Sequence, residues 1–140
     1  MYKICIPIMN KYYDDTAKAA LVRELKRINP DIVFLVFSRI ICDDKSLNDF
    51  KEMYISNMQF LQNNGFKVGA WLAPTIGYGS EHWGENGARD KFTRIRSIDG
   101  KLSGGGFCPL DEGFVYEFLK IIKTIAELGI KDILFEDEFT

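Results

Sequence analysis

The sequence predicts an α/β fold of parallel βα repeats with a β-hairpin inserted after the third strand. Three observations predict it. Strand-like and helix-like segments alternate along 140 residues, a length typical of one domain. The segment DIVFLVF, from Asp31 to Phe37, is almost continuously apolar, as a strand covered on both faces must be. Finally, Asp99-Gly100 stands between two short alternating stretches, a pairing that marks a tight hairpin turn.

Each element has its own local reason. Tyr2 to Met9 is rich in isoleucine and bounded by Asn10, which reads as the first strand. Asp14, Asp15 and Thr16 supply cap and first-turn chemistry for a helix whose Ala20, Leu21, Leu25 and Ile28 recur at helical spacing. Asn29-Pro30 ends it, and the strand from Asp31 to Phe37 follows at once. After a polar loop from Ser38 to Ser46, the helix LNDFKEMYISNMQFLQNN carries Phe50, Met53, Tyr54, Met58 and Leu61 on one stripe, and Gly65 stops it. Phe66 to Pro74 is the third strand. A loop and hairpin insertion is expected over 75–107, then a third long helix from Asp111 to Leu128, and a fourth strand in KDILFE. The whole of 1–140 is expected to be one domain, with right-handed crossovers.

Composition narrows the function classes. A net charge of −2 offers no general attraction to nucleic acid or to an anionic membrane, and no basic cluster with interleaved aromatics occurs. No apolar run approaches the roughly 20 residues of a membrane-spanning helix. Cys5, Cys42 and Cys108 are widely spaced and odd in number, which fits reduced thiols in a cytoplasmic protein better than a disulfide framework. No cofactor is expected: LSGGGFCP lacks the Gly-Lys-Ser/Thr ending of a phosphate loop, and the single histidine, His82, has no partner at metal-ligand or relay spacing.

The element order fits either a small open, doubly wound sheet or the first half of a (β/α)8 barrel. The long insertion after strand 3 and a last strand without a covering helix favour the barrel. A resemblance points the same way. GFKVGAWLAPT, from Gly65 to Thr75, resembles the third-strand segment of α-galactosidase-like glycoside hydrolases, with its pattern G-x-K-x-G-x-W-L-x-P. From Asp99 to Phe139 the chain is similar to the continuation in related sugar-processing barrels: a Cys-Pro, an acidic turn, a helix, then Gly-I/V-x-x-I/L-x-x-D at strand 4. The likeness covers 65–139 and implies a half-barrel with a sugar pocket at the carboxyl ends of its strands. It also implies a carbohydrate substrate, with a strand-4 carboxylate as nucleophile. That role falls on Asp137 or Glu136, with Glu138 beside them; the relatives' K-x-D ending is absent here. The general acid would come from a second half-barrel, and a half-barrel alone is expected to dimerise or to need that missing half.

The residues support a pocket on their own terms. Three adjacent carboxylates repel one another and resist desolvation, so packing alone explains them poorly. In a strand, Glu136 and Glu138 would share one face, and Asp137 the other with Phe135 and Ile133. Adjacent residues rarely form the facing carboxylate pair that glycoside hydrolysis needs, so one acts on the glycosidic bond and another holds a sugar hydroxyl or a metal ion. Trp71 is either a stacking platform or a core residue beneath the helices, the second being the simpler reading. Trp83 and Tyr78, in the glycine-rich GYGSEHWGENG, either stack on sugar or pin the loop. Arg39 and Asp43 follow strand 2 and belong to the pocket rim or to solvent. Two rival functions stand beside the glycosidase: a non-catalytic carbohydrate-binding barrel, and a small open-sheet domain holding Mg²⁺ at its acidic edge.

Overall fold

A computed structural model describes residues 2–38, 44–72 and 92–135. The elements run β1 (Cys5–Ile8), α1 (Asp15–Ile28), β2 (Ile32–Ser38), α2 (Asp44–Asn63), β3 (Val68–Leu72), β4 (Arg94–Arg96), β5 (Leu102–Phe107), α3 (Glu112–Glu127) and β6 (Ile133–Phe135). β1, β2, β3 and β6 form one parallel sheet in that order, and β4 and β5 form a separate antiparallel hairpin. The parallel strands therefore follow chain order with no reversal. A doubly wound sheet needs such a reversal; a barrel does not. The fold is a set of parallel βα repeats with partial-barrel topology and a hairpin after β3.

Packing agrees with that winding. Val33, Leu35 and Phe37 of β2 and Val68, Ala70 and Leu72 of β3 belong to one core with Leu25 of α1, Tyr54, Met58 and Leu61 of α2, and Phe114, Ile121 and Ile125 of α3. All three helices thus cover the same sheet face. Strand alternation sends Ile32, Phe34, Val36, Gly69 and Trp71 to the other face, which would be the lumen side of a closed barrel.

Local chemistry sets the boundaries. Asp14 caps α1 by accepting the Ala17 N–H at 2.7 Å, and Asn29 closes it in the left-handed conformation at φ 53°. α2 begins at Asp44, ahead of the predicted Leu47: Asp44, Lys45 and Ser46 form a polar first turn that apolar periodicity does not mark. β1 pairs over Cys5–Ile8 only, shorter than Tyr2 to Met9, and Tyr2 is fully exposed. The hairpin turn lies where Asp99-Gly100 predicted it, with Gly100 at φ 81°.

The hairpin is tied to α3 at its base. The rings of Phe92, Phe107 and Phe114 meet with centroids 5.3–6.0 Å apart. Asp111 accepts the Thr93 N–H at 2.7 Å through one carboxylate oxygen and caps α3 by accepting the Phe114 N–H at 2.9 Å through the other. These backbone donors, Thr93 first, hold its carboxyl down to about 2. The folded value lies below the ordinary one, so this contribution is complete above the usual carboxylate range and disappears as pH falls through about 2. In Asp111→Asn only one carbonyl oxygen remains for two amides. We expect faster hydrogen exchange at Thr93 or Phe114 and a flatter acid limb of the stability profile; unchanged exchange at both amides would refute the tie.

Candidate functional site

β2, β3 and β6 end level with one another, while β1 ends earlier, Ile8 pairing with Leu35. Ile8, Ser38, Leu72 and Phe135 close β1, β2, β3 and β6, with Ser38 in register with Leu72 and Leu72 with Phe135. In α/β sheets ligands bind outside this carboxyl edge. The register of β2 shifts between Val36 and Ser38, and irregularities of this kind re-aim side chains at functional rims.

Trp71 stands one residue inside the edge, aligned with Val36 on one side and Leu134 on the other. Its neighbours Ala70 and Leu72 are buried in the helix-side core, so Trp71 lies on the opposite face, partly exposed. This corrects the expectation of a core residue beneath the helices: the period of a strand gives Trp71 the face that α1, α2 and α3 do not cover. Leu134 beside it is 37% exposed, whereas Val36 is buried. The result is an aromatic and aliphatic ledge near the strand ends, partly open at β3 and β6.

The ledge is positioned from below. A Cβ on Gly69 would lie 2.6 Å from the Phe34 ring and 2.8 Å from the Asp132 carbonyl oxygen, so the ring lies across bare β3 backbone two residues before Trp71. From the helix side, the buried Tyr54 hydroxyl donates to the Gly69 carbonyl at 3.1 Å. Burial pushes this phenol above its ordinary pKa, so it stays neutral and remains a donor. The sequence reading used Tyr54 only as a member of an apolar stripe; nothing in the spacing reveals that its hydroxyl reaches β3.

The third-strand pattern that resembles the sugar-processing barrels has packing causes here. Gly65 adopts φ 89° in the turn after α2. Lys67 pairs with Asp132 at 2.7 Å at the amino end of the strands, away from the carboxyl edge, and Gly69 yields to Phe34. Of the pattern's described residues, Trp71 alone both faces away from the helices and lies near the carboxyl edge.

The other predicted site residues lie outside the described residues: Glu136, Asp137, Glu138, Trp83, Tyr78, Arg39 and Asp43. Glu136 follows directly on Phe135. Among the described residues no group of three His, Cys, Asp or Glu side chains could hold a metal ion, and no helix is long and apolar enough to cross a membrane. Cys5 and Cys108 are free thiols. Compared with models of protein families, with curated proteins and with solved structures, the chain matches none. What holds is the architecture: a small parallel α/β domain of barrel-like winding, without assignment to one hydrolase family.

Proposed function

We propose that the domain binds carbohydrate at the carboxyl edge of its sheet, with Trp71 as the stacking platform. The observation that carries this reading is the position of Trp71: near the strand ends, on the face away from the helices, beside the half-open Leu134. An indole there offers the apolar face on which a sugar ring stacks. Ile133 and Phe135 turn toward the helices, Phe135 packing its ring 6.3 Å from Phe118 of α3. Glu136 is the next residue of the chain after Phe135. It is the carboxylate we set against the sugar hydroxyls, with Glu138, Trp83, Tyr78, Arg39 and Asp43 as further contributors to the proposed site.

Hydrolysis is the second reading, favoured by the three carboxylates that follow β6. It requires Asp137 or Glu136 as nucleophile and a facing acid about 5–5.5 Å away for retention, which adjacent residues do not supply. Binding without turnover is thus the primary proposal.

Titration with a panel of galactosides and glucosides, followed by isothermal calorimetry, tests it. Trp71→Ala should weaken binding about tenfold or more, the loss of one aromatic stacking contact. Aryl glycosides should show no turnover. Turnover that Asp137→Asn lowers by orders of magnitude would transfer the assignment to the glycosidase. Saccharide binding indifferent to Trp71→Ala would end the platform idea.

A further inference from the structure

A second cleft lies where the loop after β1 crosses α2. Asn57 of α2 is only 7% exposed and donates both amide hydrogens to this loop, to Asn10 Oδ1 at 2.8 Å and to the Lys11 carbonyl at 3.0 Å. Among the described residues no group donates to its Oδ1. A buried acceptor without a donor is destabilising and rare. Asn57 lines a cleft of about 260 Å³, together with Lys11, Lys18, Met53 and Ser56.

The two lysines give the cleft its charge. Among the described residues neither has a carboxylate partner. Each ammonium rests instead near an aromatic ring, Lys11 at 5.4 Å from the Tyr13 centroid and Lys18 at 5.6 Å from that of Phe60. Such contacts hold a cation in place without neutralising it. Lys18 stands near the amino end of α1, where the helix dipole disfavours a cation. Asp14 and Asp15 share that end; Asp14 uses its carboxylate as the cap for Ala17.

We propose that this cleft binds a small anion bearing hydroxyl groups, a sugar phosphate or a sugar acid. The anionic group takes the lysine ammonium groups, a ligand hydroxyl donates to the empty Asn57 Oδ1, and Ser56 supplies a further hydroxyl. The volume lies below the roughly 300–1,000 Å³ of drug-sized pockets, which limits the ligand to about one monosaccharide. A neutral sugar satisfies the amide and leaves the lysines unmet, while bare phosphate does the reverse. The cleft's lining shares no residue with the carbohydrate ledge.

Amide-resolved NMR titration of the full chain with glucose 6-phosphate, glucuronate, glucose and inorganic phosphate tests it. Glucose 6-phosphate or glucuronate should shift the Asn57 side-chain amide and the Asn10 to Lys18 backbone, with a Kd at least about tenfold below those of glucose and phosphate. Which of the two binds more tightly distinguishes a phosphate from a carboxylate ligand. The double variant Lys11→Gln/Lys18→Gln, two loop and surface changes, should keep a dispersed spectrum and lose about tenfold or more in affinity. Three results would overturn the proposal: no shift at Asn57 up to about 10 mM of any probe, phosphate binding as tightly as glucose 6-phosphate, or affinity unchanged in the double variant. Shifts confined to the Trp71 indole would report on the ledge and count against this cleft.

Discussion

Tyr54→Ala should destabilise the domain by about 3–5 kcal/mol, the usual cost of removing a fully buried aromatic ring. Domains of this kind are stable by about 5–15 kcal/mol, so the variant loses much of its margin and its urea midpoint should fall steeply. Tyr54 is entirely buried, packs edge-on against Phe37 with centroids 5.1 Å apart, and bonds the β3 backbone at Gly69. Tyr54→Phe separates the two contributions. It keeps the ring and removes the hydrogen bond, which is worth about 0.5–1.5 kcal/mol. The phenol's folded pKa is raised by burial, so its contribution is complete below the ordinary value near pH 10 and is lost as pH rises beyond it. Tyr54→Phe should therefore also flatten the alkaline limb of the stability profile. Equal midpoints for wild type and Tyr54→Ala would show that α2 does not anchor β3 in this way.

The fold was legible because its determinants are local. The continuous apolar run of β2 reports burial on both sides, and the observed strand has Ile32 to Phe37 all buried. Asp14 and Asn29 mark the ends of α1 by chemistry that acts within one turn, and Asp99-Gly100 does the same for the hairpin. Sheet order is different. Barrel and doubly wound windings share the same succession of strands and helices, and they separate only in which strands lie side by side. That is a long-range fact, fixed by β1-β2-β3-β6 adjacency and by helices on a single face.

The site was less legible for the same physical reason. Trp71 could be picked out as an aromatic near a strand end, yet its face depends on the register of β3 against the core, which the sequence leaves ambiguous in a strand reading VGAWL. Asp111 opens the third predicted helix, and its bond to Thr93 exists only because the hairpin returns to the start of α3. Asn57 has nothing in the α2 spacing to mark it as buried. Its burial comes from the β1–α1 loop, which is 46 residues away in sequence at Lys11. Contacts made across such separations leave no periodic trace.

Gly69→Ala should be net destabilising although it adds only a methyl group, and it should disturb the proposed ledge as well. Replacing glycine where the backbone tolerates alanine usually stabilises by about 0.4–1 kcal/mol through the unfolded chain. Overpacking a tight site costs about 1–3 kcal/mol, and the geometry places Gly69 at the severe end. The added carbon would meet the Phe34 ring at 2.6 and 2.7 Å and the Asp132 carbonyl oxygen at 2.8 Å. That oxygen cannot simply retreat, because it accepts the Ala70 N–H at 3.0 Å in the pairing of β3 with β6. Nor can the ring swing freely, since Phe34 is itself buried against the sheet. Adding Phe34→Leu should recover only part of the loss, because it relieves the ring contact and leaves the carbonyl contact in place. A coupling of about 0.5–3 kcal/mol between the two substitutions is expected from denaturation of the four variants. The strain falls on the β3–β6 pairing that aligns Trp71 with Leu134, so saccharide affinity should drop with stability in Gly69→Ala. Full stability in that variant would mean that Phe34 does not lie across Gly69, and the platform beside it would lose its foundation.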